Sequence, residues 1–194
     1  MEFIFDIETS GLPKFPIKRK RGDPFPSPEL FSAYDTSRIV SVCWMIIDKE
    51  TKDIIQQEYY IIKPDNFIIP PEVIAIHGIT NEYATEYGKS INFVIMRMLE
   101  ALKKVDSIIA YNIEFDYNIT KSEMLRLDNL EAVAEFDNKT QICCMKMASK
   151  YMKINYNTKL GNAYKYMMGK EIQDAHNAIG DVASCYQIYK HMNK

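Results

Sequence analysis

The sequence predicts an α/β domain built on a mixed five-stranded sheet that is flanked by helices. Apolar, β-branched stretches at Met1–Ile7, Arg38–Asp48 and Ile54–Ile62 are typical of buried strands. The link between the second and third stretches is short and polar, which favours antiparallel pairing of these first three strands. A later strand, Ser107–Tyr111, leads directly into a helical pattern, and this order is typical of strands that pair in parallel.

Several segments have apolar residues three and four positions apart, which is the spacing of a helix with one buried face. Glu131–Met152 reads as a short strand or turn followed by a helix through Cys144 and Tyr151. The other predicted helices are Pro71 to Gly78, Asn81–Val105, Asn112–Leu125, Leu160–Met168, and a final helix with the stripe Val182, Cys185, Tyr189 and Met192.

The composition is that of a globular protein rather than a membrane protein. The chain has 194 residues, of which 47% are hydrophobic and 26% charged, so we expect a single domain over residues 1–194. The apolar runs are too short to span a bilayer, and we read no secretion signal at the N-terminus. The four cysteines lack metal-finger spacing, which favours reduced thiols and an intracellular setting, with the cytoplasm, the nucleus and a viral factory all open.

A long loop is expected at residues 13–35, where proline and charge are frequent and no period is visible. It contains the basic run Lys18-Arg19-Lys20-Arg21. This run could be a solvated loop, a nuclear-import address, or a grip on a polyanion such as nucleic acid. With a net charge of −2, a nucleic-acid-binding protein of this composition needs such a local basic patch or a bound metal.

Two carboxylates, Asp6 and Glu8, interrupt the first apolar strand. Because side chains alternate along a strand, both lie on the same face, a few ångströms apart. Two like charges on a buried strand need neutralisation, and oxygen ligands of this kind suit Mg²⁺ or Mn²⁺. The alternative is a solvated strand end that carries two ordinary surface acids.

Further acids stand at the junctions of later elements. Asp116 follows the strand Ser107–Tyr111, at a position where α/β sheets commonly bind ligands. Asp181 stands near the start of the last helix, five residues after His176, and its plain alternative is a favourable charge at a helix N-terminus. His77 is ambiguous, because a lone histidine is usually structural.

The ordered set resembles the DnaQ-like, DEDD-type 3′–5′ exonucleases of the ribonuclease H-like fold. Their three motifs are similar to Asp6-Ile7-Glu8-Thr9-Ser10-Gly11-Leu12, Asn112-Ile113-Glu114-Phe115-Asp116 and His176-Asn177-Ala178-Ile179-Gly180-Asp181. The spacing of His176 and Asp181 is that of the histidine subclass, DEDDh. The resemblance runs from Phe3 to about Tyr189 and implies the ribonuclease H-like form of the mixed sheet.

The resemblance also implies the roles of the acids. Asp6 bridges two divalent ions, Mg²⁺ or Mn²⁺; Glu8 and Asp181 complete one site, and Asp116 supports the second. Two metals about 3.5–4 Å apart stabilise charge on the attacking and leaving oxygens of a phosphodiester. His176 is the expected general base, because an unperturbed pKa of about 6.5 suits deprotonation of water near neutrality.

The same resemblance implies a pocket for the terminal nucleotide. Leu12 acts as a wedge under the last base, and the backbone of Thr9, Ser10 and Gly11 approaches the sugar 3′-OH. The remaining expected contacts are Ile76, His77, Asn112 and Phe115. An apolar floor implies tolerance of any base, since every base can stack there.

The expected function is therefore metal-dependent 3′–5′ hydrolysis of DNA, at single-stranded or frayed ends, with release of nucleoside 5′-monophosphates. An exoribonuclease is the nearest alternative, since nothing in the sequence clearly reads the 2′-OH. The alternative from another class is a weakly catalytic proofreading-type subunit that binds a polymerase. No membrane partner is expected.

Overall fold

The computed structural model describes residues 1–15, 23–172 and 177–193. Within these ranges the chain forms one five-stranded sheet, with strands β1 Glu2–Thr9, β2 Ile39–Ile47, β3 Ile54–Ile61, β4 Ser107–Ala110 and β5 Thr140–Cys143. The spatial order is β3-β2-β1-β4-β5. The first three strands pair antiparallel, whereas β4 pairs parallel to both β1 and β5. The predicted mixed sheet is confirmed.

Among the described residues, the register leaves the C-terminal half of β1 without a strand partner on its β4 side. Parallel pairing of these two strands runs from Glu2–Ser107 to Ile4–Ile109 and then stops. The second half of β1 continues beside β2, with Asp6 opposite Cys43. Beyond Ile4, β1 is therefore open to groups from other elements on its β4 side.

Helices cover both faces of the sheet. Their bounds are α1 Phe31–Tyr34, α2 Pro71–His77, α3 Asn81–Tyr87, α4 Ile91–Leu102, α5 Ile113–Arg126, α6 Leu130–Asp137, α7 Cys144–Tyr151, α8 Leu160–Met168 and α9 Ala178–Met192. The short helix α1 lies inside the segment that the sequence predicted as a loop. None of the helices in the described ranges has both the length and the low polarity needed to cross a bilayer.

The alternation of β1 divides the core into two layers. Phe3, Phe5 and Ile7 belong to a buried cluster with residues of α4, α5 and α6. Ile4 belongs to a second cluster, with residues of α7, α8 and α9. Asp6 and Glu8 share the face of Ile4, because side chains two apart on a strand point the same way. The last helix is thereby packed against the face that carries the two acids.

The prediction of one helix over Asn81–Val105 is wrong in one respect, because the structure has two helices there, α3 and α4. Between them the chain becomes extended, and Lys89 exchanges backbone hydrogen bonds of 2.8 Å with the end of β3. Gly88 permits this approach, since an added Cβ would lie 2.6 Å from the backbone nitrogen of Lys63. Ser90 then caps α4 by accepting a hydrogen bond from the N–H of Phe93.

A second difference lies before β5, where the sequence predicted a strand or turn at the start of Glu131–Met152. Residues Leu130–Asp137 instead form α6, whose Ala132 and Phe136 are fully buried one turn apart. The side chain of Asn129 begins the helix by accepting the N–H of Ala132 at 3.0 Å. The predicted helix through Cys144 and Tyr151 is present as α7.

Candidate active site

Three carboxylates from two distant parts of the chain meet at the end of β1. Asp6 and Glu8 project from one face of the strand, and α9 packs on that face with Asp181 in its first turn. Ligand oxygens of all three side chains lie within 4.8 Å of one another. The structure therefore brings together three of the four acids that the sequence motifs single out.

Asp116 joins this group from the neighbouring helix. It lies in the first turn of α5, is 3% exposed, and its Oδ1 accepts a hydrogen bond from the N–H of Ile7 at 3.3 Å. Ile7 lies three residues beyond Ile4, the last residue that β1 pairs with β4, so its N–H is free to bond the carboxylate of Asp116. Asp116 is also the strongest like-charge neighbour of Asp6.

Burial and mutual repulsion disfavour the charged forms of these acids. Burial raises the pKa of Asp6 well above its ordinary value, and repulsion by Asp116, Asp181 and Glu8 adds to the effect. Burial, followed by repulsion from Asp181, raises the pKa of Glu8 to about 7. Burial likewise raises the pKa of Asp116, although the Ile7 N–H opposes it. In the described part of the chain, no Lys or Arg forms an ion pair with Asp6, Glu8 or Asp116.

This arrangement fits a divalent cation. Oxygen atoms that converge within 4.8 Å supply the hard ligands that Mg²⁺ and Mn²⁺ prefer. Burial and mutual repulsion raise the pKa values of Asp6 and Glu8, and a bound cation would stabilise their charged forms. Asp6, Glu8 and Asp181 are the residues that could hold such an ion directly, with Asp116 beside them.

The turn after β1 is held by its own polar side chains. Thr9 Oγ1 donates to the carbonyl of Gly11 at 2.7 Å, and Ser10 Oγ accepts the N–H of Arg38 at 2.9 Å. Gly11 has a φ of +151°, and a Cβ there would lie 2.8 Å from the carbonyl oxygen of Thr36. The turn leaves Leu12 72% exposed, so its side chain is available to a ligand.

His77 shares a cavity with Glu8, one of the converging acids. The cavity has a volume of about 160 Å³, and Glu8, His77, Tyr83 and Asn177 are among its lining residues. Nδ1 of His77 accepts the N–H of Ile79 at 3.1 Å, while Nε2 is buried and has no hydrogen-bond partner among the described residues. Burial lowers the pKa of His77, which favours the neutral ring, and the acceptor role of Nδ1 places the ring hydrogen on Nε2.

The other predicted pocket residues do not line this cavity. Ile76 is 55% exposed on α2. Asn112 precedes α5 and is half-buried. Phe115 packs against the core and against Phe25, with ring centroids 6.2 Å apart. The structure therefore places His77 in one cavity with Glu8, whereas Ile76, Asn112 and Phe115 lie outside that cavity.

Two predicted features fall outside the described residues, namely His176 and the basic run Lys18–Arg21. Asn177, which follows His176, is described. Its side chain begins α9 by accepting the N–H of Ile179 at 3.0 Å, and it lines the cavity that contains Glu8. Sequence reasoning missed the lining residues Tyr83 and Asn177, because only the folded arrangement of α3 and α9 places them there.

Comparison with known proteins gives a family match over most of the chain. The sequence model of the RNase T family, described as exonuclease, matches residues 3–189. No curated protein gives a significant sequence match.

Solved structures share the fold at low sequence identity. Exonuclease I of E. coli, in complex with a dT13 oligonucleotide, is 21% identical with a TM-score of 0.71, over 97% of this chain and 40% of that one. The nuclease domain of 3′hExo, a DEDDh family member bound to rAMP, is 17% identical with a TM-score of 0.72, over 99% of this chain and 90% of that one. A full-length 3′-exonuclease is 15% identical with a TM-score of 0.72, over 99% of this chain and 60% of that one.

This chain thus spans less than half the length of exonuclease I, and the similarity to these structures establishes the shared fold. The family match extends from Phe3 to Tyr189 and so includes the motifs of Asp6, Asp116 and Asp181. The chain belongs to the RNase T exonuclease family, and it shares its fold with exonuclease I and with the nuclease domain of 3′hExo, a DEDDh family member.

Proposed function

We propose that this domain is a divalent-metal-dependent 3′–5′ exonuclease that shortens single-stranded or frayed DNA ends and releases nucleoside 5′-monophosphates. The observation that carries the proposal is the convergence of Asp6, Glu8 and Asp181 within 4.8 Å. These side chains come from opposite ends of the sequence, and Asp116 is drawn to them through its bond to Ile7. Such an excess of buried negative charge has a direct use in binding cations beside a phosphodiester.

Each acid has a proposed task in holding two Mg²⁺ or Mn²⁺ ions. Asp6 would contribute ligands to both ions, Glu8 and Asp181 would hold one of them, and Asp116 would support the other. When bound, the ions would stabilise the charge that develops on the attacking and leaving oxygens. His176 takes the proton of the attacking water, for which an ordinary imidazole pKa of about 6.5 is suitable.

The terminal nucleotide is proposed to bind between the turn after β1 and α2. Leu12 offers an exposed apolar side chain to the base, and the backbone of residues 9–11 faces the sugar. His77 offers a buried Nε2–H, which would gain its missing partner from a sugar or phosphate oxygen. Ile76, Asn112 and Phe115 complete the proposed contacts from the rim.

DNA is the proposed substrate, and RNA is the second candidate. The matched relatives include one solved with an oligothymidylate and one solved with rAMP, so each candidate has support. The test is a side-by-side digestion of 5′-labelled single-stranded DNA and RNA of the same sequence in Mg²⁺ and in Mn²⁺. We expect DNA to be shortened stepwise from its 3′ end at the higher rate. Faster shortening of RNA would replace the proposal with an exoribonuclease.

The domain is proposed to catalyse this reaction by itself. If it acts in proofreading, we expect it to bind a polymerase as a partner. A weakly catalytic subunit would need a partner for activity, whereas this chain retains Asp6, Glu8, Asp116, His176 and Asp181. One matched structure is an ExoI/SSB-Ct complex, so an SSB-type protein is a second proposed class of partner. Digestion by the purified chain alone distinguishes an autonomous enzyme from a dependent subunit.

The basic run Lys18–Arg21 is proposed to grip the nucleic-acid backbone beside the acids. Support comes from the described residues on either side of it: Phe15 packs on Phe25 at 5.1 Å, and Phe25 packs on Phe115, next to Asp116. Replacing all four basic residues by glutamine should weaken binding and reduce its salt dependence. If the affinity is unchanged at all salt concentrations, the basic run does not bind nucleic acid, and a nuclear-import address or a solvated loop remains as its interpretation.

A further inference from the structure

Helix α3 carries two exposed aromatic side chains on one face. Tyr83 and Tyr87 are 48% and 57% exposed, and their ring centroids lie 4.8 Å apart. Residues four apart on a helix are neighbours, so the two rings form a continuous aromatic surface. This surface is outside the acidic cluster and is not used by the proposed chemistry.

The aromatic surface begins at the cavity of the active site. Tyr83 lines that cavity together with Glu8 and His77. From there the pair extends along α3 to Tyr87, at the end of the helix. A strand whose terminal nucleotide occupies the site would meet this surface with a nucleotide further from the 3′ end, because no nucleotide lies beyond the 3′ terminus.

The helix is firmly attached, so its surface is preformed. Ala84, between the two tyrosines, is fully buried in a small core with Val40, Ile69 and Ile79. Thr80 Oγ1 accepts the N–H of Tyr83 at 3.1 Å and begins the helix. A rigid aromatic surface loses little conformational entropy when a flat ligand stacks on it.

The charges around α3 indicate what kind of contact this surface makes. Glu82 and Glu86 lie on the helix itself, and Lys63 and Lys89 are joined by a 2.8 Å backbone hydrogen bond beside its end. Both signs are present, so the described residues around α3 do not form the one-sided positive charge that dominates phosphate binding. Stacking of bases on aromatic rings does not require such a field and is worth about 1–3 kcal/mol per base.

We propose that Tyr83 and Tyr87 form a stacking platform for a nucleobase upstream of the 3′-terminal nucleotide of a single strand. The platform rests on the proposed function, because it presumes a nucleic-acid end in the neighbouring site. It would favour single-stranded over paired ends, since a paired base is already stacked in its duplex.

The test compares the affinity of an eight-nucleotide oligothymidylate with that of a thymidine dinucleotide, both labelled, in Ca²⁺ under conditions checked for absence of cleavage. The variants are Tyr83→Ala/Tyr87→Ala, Tyr87→Ala alone, and Tyr83→Phe/Tyr87→Phe, which keeps both rings. Tyr166→Ala on α8 is the matched control, because this tyrosine is 61% exposed. Thermal unfolding of each variant shows whether it is folded.

We expect the double alanine variant to bind the longer strand about tenfold more weakly, in line with the loss of one stacked base. The loss should be smaller for the dinucleotide, while the phenylalanine variant and Tyr166→Ala should bind like the wild type. A folded double alanine variant that binds the longer strand as tightly as the wild type would overturn the platform and leave the proposed function intact. A wild-type protein that neither binds nor shortens any oligonucleotide would refute the proposed function itself, and the platform with it.

Discussion

The carboxylate of Asp116 accepts a hydrogen bond from the backbone N–H of Ile7, at 3.3 Å. Ile7 is the residue between Asp6 and Glu8, so this bond fixes α5 against the part of β1 that carries both acids. It is available because pairing between β1 and β4 ends at Ile4 and Ile109. The end of a strand ladder thus positions one carboxylate against two others.

The variant Asp116→Asn distinguishes the effect of the hydrogen bond to Ile7 from the effect of the negative charge. The amide oxygen can still accept the Ile7 N–H, whereas the buried like charge is removed. We expect a melting temperature in EDTA equal to or above that of the wild type, and a fall in cleavage rate of about 1,000-fold, because metal charge stabilisation is worth several kcal/mol. Thermal denaturation and digestion of a labelled strand measure the two effects.

Glu114→Gln is the control for that substitution, because Glu114 lies in the same first turn of α5 and is exposed. It should keep wild-type activity. Full activity of Asp116→Asn would show that this carboxylate is dispensable.

The pH dependence of stability should reveal the acidic cluster. The pKa of Glu8 is raised from its ordinary 4.5 to about 7, and the pKa of Asp6 is raised as well. Between these values the unfolded state has lost a proton that the folded state retains, so the free energy of unfolding must fall as pH rises. We therefore expect the melting temperature in EDTA to decline from about pH 4.5 to about 7, and Mn²⁺ to reverse the decline.

The metal effect should grow over the same interval, because cations and protons compete for the same oxygens. Glu8→Gln, which cannot ionise at this position, should make the decline in EDTA shallower, because Asp6 and Asp116 still contribute to it. If wild-type stability in EDTA instead rises through this interval and Mn²⁺ has no effect, the acids are not an uncompensated cluster.

The fold could largely be predicted because its strands are continuous apolar runs, whose burial depends on their own composition. The break between α3 and α4 could not, since it depends on Gly88 and Lys89 reaching the edge of β3, far away in sequence. The pattern of Asn81–Val105 is helical on both sides of that break. The helix α6 was missed for a related reason: Ala132 and Phe136 reveal a helical face only once their burial is known.

The residues of the site likewise include some that the sequence predicts and some that only the folded structure reveals. The acids were predictable because their spacing within motifs and their positions at strand ends carry the chemistry locally. The tyrosine pair on α3 was not, because the cavity that joins Tyr83 to Glu8 is made by elements distant in sequence. The same holds for Asn177, whose role in beginning α9 beside the cavity depends on the packing of that helix.

The ion pair between Arg38 and Glu123 should be important for both stability and substrate affinity. The guanidinium meets the carboxylate through two hydrogen bonds, of 2.5 and 3.0 Å, and Glu123 is 3% exposed. Breaking a buried pair from one side leaves an uncompensated charge, so Glu123→Ala should lower the free energy of unfolding by about 3–5 kcal/mol. Because the backbone N–H of Arg38 also bonds Ser10 Oγ in the turn after β1, loss of the ion pair should disturb that turn and raise the KM for a single-stranded end.

Denaturant unfolding and steady-state kinetics check this prediction. Glu171→Ala is its control, since the pair of Lys165 and Glu171 has side chains that are 64% and 70% exposed and should contribute nothing measurable. Replacing both members of the buried pair, as in Arg38→Met with Glu123→Leu, should recover most of the stability. An unchanged unfolding curve for Glu123→Ala would contradict the assignment.

His176→Ala should separate proton transfer from metal binding. Loss of a general base lowers the rate by about 100- to 10,000-fold, whereas the four carboxylates remain to hold the metal. We expect Mn²⁺ to raise the melting temperature of this variant as it does that of the wild type, and the acid limb of the pH–rate profile to disappear. If the pH–rate profile of His176→Ala is unchanged, a group other than His176 acts as the general base.

The most direct test of the central claim is digestion of a 5′-labelled single strand by the wild type and by Asp6→Ala, each in Mg²⁺ and in EDTA. Asp6 is the proposed shared ligand, and Asp116, Asp181 and Glu8 all repel its charged form. The account predicts stepwise shortening from the 3′ end by the wild type in Mg²⁺ alone, and none by folded Asp6→Ala under either condition. Shortening by Asp6→Ala at the wild-type rate, or by the wild type in EDTA, would contradict it.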